Sequence, residues 1–264
     1  MPIWGKETEF LGHGVPTLTG SSFLREVARG NVTGAERWSG FGEAVLGSAQ
    51  TWYDVSPLGV ASIPSPAEAG VQMSVVSSSA ADDSVSTGIR TVDIHYLDAD
   101  GNEQSEVVPM DGTTPVLTTA INMRWIQCAH ARSAGSGGVA AGDITISNGG
   151  TTYSVIKTGN TRCSSSARMV PAGKRLFVTD LACGVTSGTN AAAKFYIGAN
   201  SQNGDLLTYP LFIPHVELIL QETSIQLEFE IPMAYPALSV VKVKATTDKA
   251  ATVAASWRGW YEAA

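Results

Sequence analysis

The sequence predicts an all-β protein: an antiparallel β-sandwich or jelly-roll-like domain, open to division into two modules, with an extended N-terminal arm. Three observations carry that prediction. From Val71 onward apolar and polar residues alternate in short runs, as in Val71, Met73 and Val75 against Gln72 and Ser74, the period of a strand with one buried face. Clusters of Gly, Asp, Asn and Ser recur between the runs, giving about a dozen strands punctuated by turn signals. No strand–helix–strand alternation is visible, which argues against a parallel α/β sheet.

Residues 1–66 read as the arm and its linker. Glycines recur from Gly5 to Gly59, large apolar residues are scattered between them, and neither a helical nor an alternating period holds for long. Disordered segments are normally poor in aromatics, so an aromatic-rich, aperiodic stretch is expected to become ordered against a partner. Trp4, Phe10, Phe23, Leu24, Trp38, Phe41, Trp52 and Tyr53 are the candidate anchors, because buried aromatics carry much of an interface's energy. The competing reading is that the arm wraps its own β domain. Ser21–Ala28 can form two helical turns with Ser21 or Ser22 as cap. Ile63-Pro64-Ser65-Pro66 reads as the linker, since each proline fixes its own backbone and biases the residue before it toward extended.

Residues 67–264 form the β region. Val92, Ile94 and Tyr96 alternate with Thr91, Asp93 and His95, and Asp98-Ala99-Asp100-Gly101-Asn102 then turns the chain toward Val107 and Val108, a hairpin signal. Thr113–Ala120 and Asn122–His130 read as strands. The Gly/Ser/Ala-rich loop Ser133–Gly142 is the candidate seam between two modules. Strand-like runs follow at 143–146, 153–156, 176–182, 193–197, 206–213, 225–231, 238–245 and 251–260, while Val216–Glu222 fits either a strand or a short helix.

Charged residues make up 16% of the 264-residue chain and the net charge is −7. Nucleic-acid binding is not expected, because phosphate contacts need clustered Lys and Arg and the nearest approach is the pair Lys174–Arg175. No apolar run reaches the ~20 residues of a membrane helix. The opening residues lack the layout of a signal peptide. Cys128, Cys163 and Cys183 are too widely spaced for a zinc knuckle and odd in number, so buried free thiols are expected.

No catalytic constellation stands out. His13, His95, His130 and His215 adjoin neither a nucleophile elbow nor a cysteine in a recognisable setting, and no catalytic, cofactor-binding or metal-ligating residue is assigned. Asp98–Glu103 is too short for a calcium loop and suits a tight turn. Glu228 and Glu230 flank Phe229 and are expected on one strand face. A glycan hydrolase built on them is the remote reading. Trp257 and Trp260, three apart, fall on opposite faces of a strand; with Tyr261 they are the candidates for sugar stacking.

Several segments resemble a known family. These are Arg29-Gly30-Asn31-Val32-Thr33-Gly34 and Phe41-Gly42, then Ser77–Asp83, Thr87–Val92, Leu97–Glu103 and Val170–Lys174. Together they are similar to virion structural proteins of tailed bacteriophages. The resemblance spans roughly residues 29–180, and the part from about Asn190 matches no family. It implies a non-enzymatic virion protein without cofactor, assembled in the host bacterial cytoplasm. Its partners would be the major capsid protein or neck and tail proteins, and it would form a homo-oligomer, a trimer being the expectation. Two placements follow: a head decoration or cement protein anchored by the arm, or a neck, collar or tail-fibre component with host-glycan binding.

Overall fold

The computed structural model describes residues 20–48, 51–200 and 212–264. A helix, α1 (Gly20–Ala28), precedes the strands β1 (Ala35–Leu46), β2 (Tyr53–Asp54), β3 (Ser74–Ser77), β4 (Ile89–Leu97), β5 (Glu103–Pro109), β6 (Val116–Leu117), β7 (Trp125–Ala134) and β8 (Ile144–Asn148). The series continues with β9 (Thr151–Ile156), β10 (Arg168–Met169), β11 (Lys174–Thr186), β12 (Ala192–Asn200), β13 (Phe212–Gln221), β14 (Ser224–Tyr235), β15 (Val240–Thr247) and β16 (Ala251–Ala263). Every strand pairing is antiparallel.

Two of the sheets combine strands from both ends of the chain. One has the order β1-β16-β11-β14; the other runs β15-β12-β13, with β2 and β10 both paired to β15. The chain passes from one sheet to the other at every step from β11 to β16 except the β12–β13 hairpin. Eight strands in the orders β1-β16-β11-β14 and β2-β15-β12-β13 make the jelly roll, a pair of interlocked Greek keys. Leu176, Val178, Leu181, Val253 and Trp257 from the first sheet pack against Phe195, Ile197, Val241 and Val243 from the second, all fully buried. Alternation along β15 and β16, and along β11 on either side of its irregularity at Thr179, puts these side chains on one face.

The remaining strands form a second sandwich inserted between β2 and β11. Its sheets are β6-β3-β8-β9 and β5-β4-β7, and they enclose Met73, Val75, Ile144 and Ile146 against Val92, Ile94 and Val108. The modules therefore meet where the chain leaves near Ile63 and returns near Ser164, not at Ser133–Gly142. That loop belongs wholly to the inserted module. The buried Asp82 carboxylate accepts hydrogen bonds from the backbone N–H groups of Ile89, Ala141 and Gly142 and from the Ser77 hydroxyl, stitching the loop's end down. Small-residue composition made it look like a linker, whereas satisfied buried polar groups hold it as structure. The true seam is apolar, with Leu97 and Trp125 against Ala167, Met169 and Val240, flanked by Ile63 and Leu238.

The described part of the expected arm also differs. Ala35–Leu46 pairs with β16 over its full length, from Ala35↔Glu262 to Leu46↔Ala251, so it is an outer strand of the jelly roll. Gly40 and Gly42 broke the alternation in the sequence for a physical reason. A Cβ on Gly40 would lie 2.5 Å from the Trp257 indole, and one on Gly42 would lie 2.0 Å from the Val55 carbonyl oxygen. Neighbouring groups occupy the space side chains would need. The helix expected at 21–28 is α1. It buries Phe23 and Val27, four residues apart and on one face, in a cluster with Val32, Ala35 and Trp260. Gly30, at φ 73°, closes it.

The Asp98–Asn102 segment is a turn: Gly101 has φ 82°, and the Asp98 carboxylate accepts from the N–H groups of Asp100 and Asn102. Val216–Gln221 lies in strand β13. The expected run at 206–213 falls mostly outside the described residues.

Candidate assembly surface

Trp4 and Phe10, and the side chain of Leu24, lie outside the described residues. The other candidate anchors are engaged within the chain. Phe23 meets Trp260 edge-on at 4.6 Å between ring centroids, and Trp38 meets Trp257 and Tyr261 at 5.6 and 5.2 Å. Arg162 sits over the Phe41 ring at 5.2 Å. Trp52 stacks on Tyr196 at 4.0 Å, and Tyr53 packs against the jelly-roll core. Aromatic surface already covered by the protein's own β domain offers little to a partner. The glycan-stacking candidates fare similarly. Trp257 and Tyr261 are buried, and Trp260 on the opposite face lies beneath Phe23 and against Phe177.

Exposed apolar side chains lie elsewhere: Val85, Leu117 and Ile121 on the inserted module, and Val45, Ile219 and Ile231 on outer strands of the jelly roll. β13 and β14 are consecutive outer strands, one closing each jelly-roll sheet on the same side of the sandwich, with His215 Nδ1 3.0 Å from the Tyr235 hydroxyl between them. Open strand edges template further pairing unless blunted. Here both are blunted. In β13 the register shifts at Ile197/Gly198, where Val216 and Pro214 face consecutive residues and His215 is extra. In β14 Met233 pairs with Val178 and Glu228 with Asp180, so residues 229–232 oppose Thr179 alone. Pro214 and Pro232 supply no N–H to a ladder.

The β14 bulge has a second effect. Inward residues of this strand alternate as Ile225, Leu227, Phe229, Met233 and Tyr235, most of them packed on the core. Ile231 would follow that parity, but the bulge throws it outward, leaving it 84% exposed. Ile219 on β13 is 64% exposed. The same two strands carry exposed carboxylates, Glu217 on β13 and Glu228 and Glu230 on β14, Glu230 being the chain neighbour of Ile231. Across the same sheet, the opposite outer strand β1 exposes Val45 at 78%. Both outer strands of this sheet thus expose an apolar side chain, and the bulge of β14 disfavours continued sheet pairing there.

A polar groove of ≈ 390 Å³ runs where the inserted module meets β1, lined by Glu43, Lys157, Asn160, Arg162 and Ser164. Its charges are mixed, and Lys157 is taken up by Asp143 at 2.7 Å. Cys163 and Cys183 are buried and Cys128 half-buried, all as free thiols. Cys183 is pushed up to about 12 by burial. Cys128 is pushed up mainly by its hydrogen bond with Cys163, and further by burial. Of the histidines, His13 lies outside the described residues and His215 is bonded to Tyr235. His95 and His130, distant in sequence, stack at 5.2 Å between centroids. The sequence reading missed that pairing. Both strands were legible, but the register that joins them was not.

No protein-family model matches the chain, and no curated protein matches it. Among solved structures, the VP2 subviral particle of infectious bursal disease virus aligns over 86% of this chain and 76% of that chain. The identity is 9% and the TM-score 0.14, a likeness that bears on neither fold nor function. Among the described residues no helix is long and apolar enough to cross a membrane.

Proposed function

We propose that this protein is a non-enzymatic structural component of a tailed-bacteriophage virion, a head decoration protein whose copies join side by side into a cyclic oligomer, a trimer, on the capsid. The observation that carries the self-association is the bulge of β14, which turns Ile231 outward beside the exposed Glu230. Contiguous exposed apolar surface rimmed by polar residues marks contact sites, and in this reading Ile231 is the centre of one. A twofold contact would face Glu228 and Glu230 with their own copies, and like charges repel. A head-to-tail contact avoids this and closes into a ring. The counter-surface is the outer strand β1, where Val45 is exposed at the other side of the same sheet. Repeated weak contacts on a shell gain strength through avidity, and binding only the assembled shell stabilises it by mass action.

Light scattering after size exclusion tests the self-association. A concentration-dependent trimer that Ile231→Glu and Val45→Glu each reduce to monomer is the expected result; oligomers untouched by both substitutions overturn it. Copy number per purified particle tests the placement. A ratio to the major capsid protein near one, or near one third, supports shell decoration, and a ratio of a few per cent moves the protein to the neck or tail.

A further inference from the structure

Asp93 and His95 are two residues apart on β4 and so project from the same face of the sheet β5-β4-β7. The β4–β7 register sets His130 directly opposite Asp93, and side chains opposite each other across an antiparallel pair are close neighbours. His95 Nε2 lies 3.7 Å from Asp93 Oδ1, and His130 Nε2 lies 4.0 Å from Oδ2. One ligand-capable atom from each of the three residues falls within 4.8 Å of the others.

A second observation singles out this cluster. Asp93 is 5% exposed, and its Oδ1 is buried without a hydrogen-bond donor. A buried, unpaired carboxylate oxygen is costly and calls for a compensating partner. Arg132 Nη1 serves only Oδ2, at 3.1 Å. Oδ1 is left pointing at the imidazole of His95.

We propose that Asp93, His95 and His130 form a binding site for a divalent transition-metal ion of the Zn²⁺ class on the inserted module. Two imidazoles and one carboxylate suit Zn²⁺, Co²⁺ or Ni²⁺ and not the all-oxygen shells of Mg²⁺ or Ca²⁺. Bonds of about 2.0–2.2 Å to a tetrahedral ion put ligand atoms roughly 3.4 Å apart, so small rotations of two half-exposed rings close the set. Arg132 holds the carboxylate's other oxygen and orients it, as partners of ligating groups commonly do. Three protein ligands leave one position open to water or to an oxygen, nitrogen or sulfur donor from outside. The site stands independently of the virion reading.

Co²⁺ titrated into the full chain, followed by its visible absorption and by calorimetry, tests the assignment. The expected result is one ion per chain with the spectrum of a low-coordinate nitrogen–oxygen site. His95→Ala and His130→Ala should each weaken binding by at least about tenfold, with His215→Ala unchanged. Both rings are substantially exposed, so the folded state survives their loss; far-UV circular dichroism checks this, and Asp93→Asn serves as a third variant. Co²⁺ affinity equal in the wild type and in the His95→Ala/His130→Ala double variant overturns the proposal, as does no binding at about 1 mM Co²⁺, an affinity too weak to hold an ion in dilute solution.

Discussion

The Asp54 carboxylate lies 3.0 Å from the Lys242 ammonium, and both side chains are almost wholly withdrawn from water. Lys244 reaches the other carboxylate oxygen at 3.1 Å. The trio sits where β2 joins β15, at the point from which the chain departs into the inserted module. Removing one partner from a buried pair leaves an uncompensated charge, which costs about 3–5 kcal/mol. Asp54→Ala is therefore expected to lower urea-unfolding stability by that order. A loss of under about 1 kcal/mol, the scale of an exposed pair, would show that water reaches the lysines.

Burial holds the Lys242 ammonium below the ordinary lysine range of 10.5, outweighing the attraction of Asp54. As pH rises toward 10.5, the folded protein loses this proton before the unfolded chain does. The unfolded state then binds more protons, so this group's contribution to stability rises with pH through that window. The stability of the wild type relative to Lys242→Met should increase between pH 8 and about pH 10. Urea midpoints at the two pH values read the difference directly, and a constant difference contradicts the burial effect.

Asp143 has the same sign of pH dependence, in the acid range and for a different cause. Its carboxyl is lowered from 3.8 to about 2 by Lys157 first and then by the Thr158 N–H and hydroxyl. The contribution is fully present above 3.8 and disappears as pH falls through about 2. Because the pair is partly exposed, solvent screening limits it to less than about 1 kcal/mol. Asp143→Asn should be slightly less stable than wild type at pH 6 and indistinguishable from it at the acid end.

Gln127 ties the modules together. Its side-chain amide donates to the Met169 carbonyl at 2.5 Å and accepts from the Met169 N–H at 3.1 Å, copying a strand pairing between β7 and β10. Gln127→Ala strands two buried backbone groups, at about 1–3 kcal/mol each. Differential scanning calorimetry should then resolve two transitions where the wild type shows one. A single transition in the variant would mean that the apolar contact of Trp125 and Leu97 with Met169 suffices for coupling.

Gly40→Ala tests the packing of β1. The added methyl meets the Trp257 indole and the Ser166 carbonyl oxygen, itself the acceptor of the indole N–H at 2.8 Å. Overpacking of this kind costs about 1–3 kcal/mol, read as a lower thermal midpoint. An unchanged midpoint would show that β1 can shift outward.

Much of the fold was legible in local pattern. Thr91–Tyr96 alternates because one face of β4 is buried, Asp98–Asn102 carries the residues its turn requires, and Ser21–Ala28 fits the two helical turns of α1. What local pattern could not convey was where distant segments meet. Ala35–Leu46 looked aperiodic because Gly40 and Gly42 lie where Trp257, Val55 and Ser166, remote in sequence or across a loop, leave no room for a side chain. Ser133–Gly142 looked like a seam until Asp82 supplied its hydrogen bonds. Ile231 had the parity of a core residue, and only the β14 bulge turned it outward. Asp93, His95 and His130 were ordinary strand residues until the β4–β7 register brought them together. Where the local pattern was clear, the sequence by itself determined strand, turn and helix, since these depend on neighbours within a few residues; β1, with its glycines, is the exception. Tertiary structure alone decided the jelly-roll order, the inserted module and the cross-strand clusters, because register and sheet order are set by packing between residues tens to hundreds of positions apart.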